Sequence, residues 1–207
     1  AIDYRLGSAR GRDGKPAITP PEGYNAFQYS IDIGVEDIYA ATAWLIKHAD
    51  EYNIDPEKIV ISGSSAGAIN SMNAEYYLCN GHELATKTLP AGFNYAGVVP
   101  MAGAVYLTGD NDTELVWKSK PCPICFFHGS TDPTVTFDVE NRMGRHGFGP
   151  NYVSRQLYTM DVPFMLNEYF GGDHVMALLP LKFFWNEIDS FLDRIVLGGE
   201  NLKIHAV

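Results

Sequence analysis

Three side chains of the kinds that together make a hydroxyl nucleophilic occur in this chain in the order serine, aspartate, histidine. Ser65 is the centre of Gly63-Ser64-Ser65-Ala66-Gly67, Asp132 lies in "HGSTDPTV", and His174 lies in "FGGDHVM". A serine hydroxyl attacks a carbonyl only when a neighbouring imidazole takes its proton. The imidazole in turn needs a carboxylate that fixes its tautomer and stabilises its charged form. The spacing G-x-S-x-G suits a sharp strand-to-helix turn, because small residues on both sides let the backbone pass close by. The central hydroxyl then stands at a helix N-terminus, where the dipole favours developing negative charge, and the Ala66 backbone N–H is aimed at the same spot as an oxyanion donor.

Taken singly, each residue has an ordinary structural explanation. A lone G-x-S-x-G is a weak pattern, Asp132 before Pro133 can simply begin a turn, and His174 can be a surface-loop histidine. Taken together, all three fall just past the end of a different predicted strand, and coincidence becomes the weaker explanation. Of the neighbouring serines, Ser62 is expected in the buried strand end and Ser64 as the small x of the motif.

The elements that must position these groups read as follows. "AIDYRL" (1–6) has the pattern of a short buried strand, and residues 7–30, rich in Gly, Pro and polar residues, form a long loop of the kind that is functional or mobile. From Ile31 to Tyr52, residues Ile38, Ala41, Trp44, Leu45 and His48 recur at helical spacing. "KIVISG" (58–63) is an apolar run without alternation, as in a strand buried on both faces of a parallel sheet. A helix follows over 65–78, then a loop ending near Phe93.

Further strands are expected at "YAGVVPMAG" (95–103), "PICFFHG" (123–129) and "VPFMLNEYF" (162–170). Helices are expected at 137–146, 151–160 and 180–196, the last with Leu181, Phe184, Ile188, Phe191, Leu192 and Ile195 on one face. Strand and helix alternate, so the class is α/β with a mostly parallel sheet flanked by helices. In such sheets ligands bind outside the carboxyl ends of the strands, which is where all three candidate residues fall.

Composition narrows the partners. At 207 residues the chain is long enough for one domain with a real core. The formal charge of −10, with no block of Lys or Arg, argues against nucleic acid. No run of about 18 apolar residues suggests a membrane span. Cys79, Cys122 and Cys125 make a single C-x-x-C with no second pair for a zinc ribbon, and "PCPICFFHG" runs into a strand rather than a thioredoxin-like helix. They read as buried structural thiols. No cofactor is called for, and no metal: the connector bearing Asp110, Asp112 and Glu114 reads as a solvated loop. Location is barely constrained; a signal peptide preceding Ala1 would make the protein periplasmic or secreted, and otherwise it is cytoplasmic.

The stretch "VEDIYAATAWLIKHADEYNIDPEKIVISGSSAGAIN", with "FFHGSTDPTV" and "GGDHVMAL", resembles the α/β-hydrolase fold, in particular bacterial carboxylesterases that remove acyl groups from plant polysaccharides. The resemblance spans essentially the whole chain as a single domain, 1–207. It implies Ser65 as nucleophile, Asp132 as acid and His174 as base, in acyl transfer to serine followed by hydrolysis of a small-molecule or carbohydrate ester. It also implies a glycine-rich H-G-G-type segment upstream of "YRL" that supplies a second oxyanion donor, and no such segment is found in the sequence.

On the same pattern "AIDYRL" corresponds to the fourth strand of the fold, and the strand that should separate it from the nucleophile strand is not found. An empty strand position would leave roughly 9.6 Å between two buried edges. The chain is therefore expected to be an N-terminally truncated fragment, to borrow a strand as a homo-oligomer, or to close up its sheet. Two competing readings are a peptidase of the prolyl-oligopeptidase kind, with the same fold and triad order, and a non-catalytic binding protein on a hydrolase scaffold.

Overall fold

The computed structural model describes residues 1–7, 14–15, 17–109, 113–142 and 144–207. Asp110 and Asp112 of the acidic connector lie outside the described residues. The first long element, α1 (Ala26–Lys47), is started by Asn25, whose side chain accepts hydrogen bonds from the N–H groups of Phe27 and Gln28. It buries Ile31, Val35, Ile38, Tyr39 and Thr42. The buried stripe is thus turned from the expected one: Trp44 is exposed and stacks on His48. A further turn, α2 (Ala49–Tyr52), ends at Asn53 in the left-handed region.

The sheet that carries the site is built from β1 (Val60–Ser64), β2 (Gly97–Met101), β4 (Ile124–Gly129), β7 (Phe164–Tyr169) and β8 (Lys203–Ala206), in the order β1-β2-β4-β7-β8, all parallel. β2 and β4 are buried throughout, as strands covered by helices on both faces must be. One face carries α1, α3 (Ala66–Asn80) and α5 (Pro150–Thr159), with Val35, Tyr39, Met72, Val98, Phe126 and Leu157 in one core. The other is covered by α7 (Trp185–Ser190) and the wide turns 191–197, with Ile188, Phe191 and Ile195 against Met101, Phe127 and Met165. The mostly parallel sheet flanked by helices is the expected class.

Several expectations are corrected. Residues 1–6 form no strand, and Ile2 and Leu6 are exposed. The Arg5 N–H donates to Asp37 at 2.7 Å and its guanidinium pairs with Asp37 and Glu36, so this segment docks on α1 rather than in the sheet. Among the described residues no strand pairs with the other side of β1, so the strand expected beside it is not found. β1 is the edge of the sheet, not a strand buried on both faces, and Ser62 and Ser64 are exposed. The loop before Phe93 contains a short helix, α4 (Glu83–Thr88).

Residues 137–146 form no helix. Their place is taken by the hairpin β5 (Val139–Arg142) and β6 (Arg145–Phe148), which pairs with β3 (Val105–Leu107) as a small antiparallel sheet. Gly144 turns this hairpin at φ 71°, and Gly147 sits so close to Tyr106 that a Cβ there would lie 2.6 Å from the ring. The closing helix is broken into α6 (Pro180–Phe183), α7 and the wide turns, with Leu181 left exposed. β8 follows it, unread in the sequence. Cys79, Cys122 and Cys125 are buried and free.

Candidate active site

β1 runs into α3 through Ser65, which holds φ 50° and ψ −116°. That backbone is costly for a residue with a Cβ, about 1–3 kcal/mol, and persists only where the surroundings over-determine it. They do: the Ser65 N–H donates to Met101 O at 2.9 Å, locking the turn to the end of β2. Gly63 is obligatory, because a Cβ there would meet the Gly67 backbone at 2.2 Å. Gly67 is under no such pressure, its nearest neighbour to a built Cβ being the Tyr4 hydroxyl at 3.8 Å.

The turn throws the Ser65 hydroxyl toward His174. Ser65 Oγ lies 2.8 Å from His174 Nε2, and His174 Nδ1 lies 2.7 Å from Asp132 Oδ2. The Asp132 carboxylate is fully enclosed, whereas the imidazole is 27% exposed, so one end of the hydrogen-bonded line is dry and the other reaches solvent. Asp132 Oδ1 accepts from the N–H groups of Thr134 and Val135 at 2.8 and 3.0 Å, which leaves Oδ2 for the imidazole.

The loops carrying Asp132 and His174 are bolted together. Thr131 donates its N–H and its hydroxyl to Gly172 O, both at 3.0 Å, and a Cβ on Gly129 would lie 2.3 Å from that same oxygen. His174 opens the turn 174–177, capped by Asp173, which accepts from Val175 N–H.

Ala66 is the first residue of α3. Its N–H is one of the orphan donors of a helix start and points out of the helix rather than into it. Ser62 donates to Val99 O at 2.8 Å, tying β1 to β2. Ser64 does more than supply bulk of the right size, since its hydroxyl donates to Ala177 O and ties the Ser65 turn to the His174 turn.

Two contributors were not anticipated. His128, four residues before Asp132 in the same quoted stretch, is almost wholly buried, and its Nε2 lies 3.1 Å from Val135 O and 3.5 Å from Asp132 Oδ2. Desolvation holds its pKa below the usual histidine value, so the neutral ring donates to the Val135 carbonyl and braces the turn that presents Asp132. The second is the β5–β6 hairpin. A cavity of about 380 Å³ opens beside Ser65 and Ala66, with Tyr106, Arg142 and Arg145 among its walls. Among the described residues no group of three His, Cys, Asp or Glu side chains is placed to hold a metal. No helix among them is long and apolar enough to cross a membrane.

Comparison with known proteins bears on the fold. Residues 28–108, which include the Ser65 turn, match the family model BD-FAE. No curated protein matches the sequence. Among solved structures, the apo form of Thermogutta terrifontis esterase 2 superposes with a TM-score of 0.58 at 20% identity, over 80% of this chain and 66% of that one. MGS-M1, an alpha/beta hydrolase enzyme from a Medee basin deep-sea metagenome library, gives 0.52 at 17% identity, over 79% and 65%. The chain has the α/β-hydrolase fold.

Esterase B from Lactobacillus rhamnosis is similar at a TM-score of 0.56 and 14% identity, over 82% of this chain and 62% of that one. The match thus takes in less than two thirds of the length of these α/β hydrolases. On this α/β-hydrolase framework Ser65, Asp132 and His174 meet in one hydrogen-bonded line at the carboxyl ends of β1, β4 and β7. The Ala66 N–H stands beside them.

Proposed function

We propose that the protein is a serine esterase that cleaves carboxylic esters through an acyl-enzyme. The observation that carries this reading is the unbroken line of hydrogen bonds from Ser65 through His174 to enclosed Asp132. Ser65 Oγ attacks the ester carbonyl carbon while His174 Nε2 takes the hydroxyl proton. The carbonyl oxygen becomes an oxyanion facing the Ala66 N–H. Collapse breaks the bond to the alcohol oxygen, which leaves with the proton from His174. Water then adds to the acyl-serine, again giving its proton to His174, and Ser65 regains its hydroxyl as the carboxylic acid leaves. Asp132 stabilises the imidazolium in both halves without itself being protonated.

The esterase relatives support the reading. One solved form of Thermogutta terrifontis esterase 2 is butyrate bound, and another is phosphonylated by cyclosarin. We take the acyl groups to be acetyl or hydroxycinnamoyl, carried on plant polysaccharide, on the resemblance of the sequence to polysaccharide acyl esterases. Substitution of Ser65 by Ala is expected to lower hydrolysis of 4-nitrophenyl acetate by about 10⁴-fold or more. A variant that kept the parent rate would overturn the assignment. Release of acetate or ferulate from acylated xylan, followed by chromatography, tests the polysaccharide part separately.

A further inference from the structure

Five arginines lie among the described residues. Arg5 pairs with Glu36 and Asp37, Arg155 with Asp138, and Arg194 with Glu200. The remaining two, Arg142 and Arg145, both line the cavity beside Ser65, and among the described residues neither has a carboxylate within ion-pairing distance. In a chain with 25 acidic and 15 basic residues, a guanidinium without an acidic partner is against the odds, and two on the wall of one cavity more so.

Their placement is costly. Arg142 and Arg145 are cross-strand partners at the end of the β5–β6 hairpin, and like charges directly opposite one another destabilise a strand pair. The Arg145 guanidinium lies over the Phe27 ring, 4.4 Å from its centroid, a contact that helps to hold it in place without using its N–H groups in an ion pair. The nearby acid, Glu140, accepts from the Tyr106 hydroxyl at 3.0 Å and leaves two guanidiniums against one carboxylate on this wall.

We infer that Arg142 and Arg145 form an anion subsite for the esterase proposed above, so that its preferred substrate is an ester whose acyl or alcohol part carries a carboxylate. A planar guanidinium binds a carboxylate through two parallel N–H···O bonds and gives position as well as attraction. A carboxylate seated between the two arginines also removes their mutual repulsion. This inference rests on the esterase reading and adds to it the charge of the substrate.

Two matched pairs of esters test it. On the acyl side 4-nitrophenyl hydrogen succinate is compared with 4-nitrophenyl butyrate; on the alcohol side 4-(acetoxymethyl)benzoate is compared with benzyl acetate. In one of the two arms kcat/KM should favour the charged ester by about tenfold or more at low ionic strength, and about 0.5 M salt should shrink the ratio. The Arg145→Gln variant should lower that charged-to-neutral ratio by about tenfold, and Arg145→Lys should retain part of it, which separates lost charge from a misfolded hairpin. Neutral esters cleaved as well as charged ones in both arms, or a ratio unchanged by Arg145→Gln, would overturn the anion subsite and leave the esterase standing. Failure to cleave any of the four esters would overturn the esterase reading and this inference with it.

Discussion

Asp132 is held by four contacts from three directions: two backbone N–H groups on Oδ1, and His174 with braced His128 on the side of Oδ2. An asparagine fits the same space but cannot stabilise an imidazolium. Its amide N–H also forces the opposite imidazole tautomer, with the proton on Nε2 where it must accept. Asp132→Asn should therefore lower kcat for ester hydrolysis by about 10³- to 10⁴-fold with little change in thermal stability. A rate within tenfold of the parent would mean that His174 does not depend on this carboxylate. The types and spacing of Ser65, Asp132 and His174 singled them out in the sequence, and the fold brings the three into one hydrogen-bonded line. The sequence was mute for Ser64 and His128, because a hydroxyl bonded to Ala177 O and an imidazole bonded to Val135 O are set by which turns happen to meet.

The elements that present these groups differ in how they are specified. β2 and β4 are continuous apolar runs buried throughout, so their ends, and hence the loop after β4 that holds Asp132, were legible from hydrophobic pattern alone. The β5–β6 hairpin was not. "VENR" and "RHGF" have no apolar stripe of their own, and their strand state comes from pairing with one another and, through β6, with β3. That β3 is itself held in place by Asn73, whose side chain bonds both the N–H and the carbonyl of Tyr106. The nucleophile turn depends on the absence of a single methyl group. Gly63→Ala would drive a Cβ into the Gly67 backbone, which cannot yield as a flexible side chain would. It is expected to cost about 1–3 kcal/mol, or about 3–10 °C in melting temperature, and to reduce activity because the strained Ser65 backbone must shift. Unchanged melting and turnover in this variant would show that the close approach is not required.

Across the whole molecule, the order of α1, β1, α3, β2, β4 and β7 was readable because strand and helix alternate with clear periods. The sheet's limits were not, since edge position depends on which strands find neighbours. β1 was expected to be buried on both faces and is part-exposed at the edge; residues 1–6 were expected in the sheet and lie on α1.

The core also holds a titratable group that bears on the pH dependence of stability. Glu75 is fully buried, with Oε1 accepting from Cys122 N–H and Cys79 Sγ and with Oε2 unpartnered among the described residues. Burial raises its pKa, so over the interval between its unfolded and folded values the native state binds more protons than the unfolded chain. The stability this group contributes is complete below its unfolded value and falls as pH rises toward its folded value, by up to about 1.4 kcal/mol per pH unit. Glu75→Gln removes the titration. Its melting temperature relative to the parent should therefore climb between pH 5 and pH 8, in scans at matched ionic strength. A constant difference across that range would mean that Glu75 does not change its protonation on unfolding.

Whether Ser65 is a nucleophile activated by His174 can be read out by active-site labelling. The protein is treated with a fluorophosphonate probe, digested, and the modified peptide sequenced by mass spectrometry. A single adduct is expected on Ser65, within the segment Lys58–Asn70, formed much more slowly in His174→Ala and lost in Ser65→Ala. A protein whose Ser65 stays unmodified, or is modified at the same rate without His174, would contradict this reading.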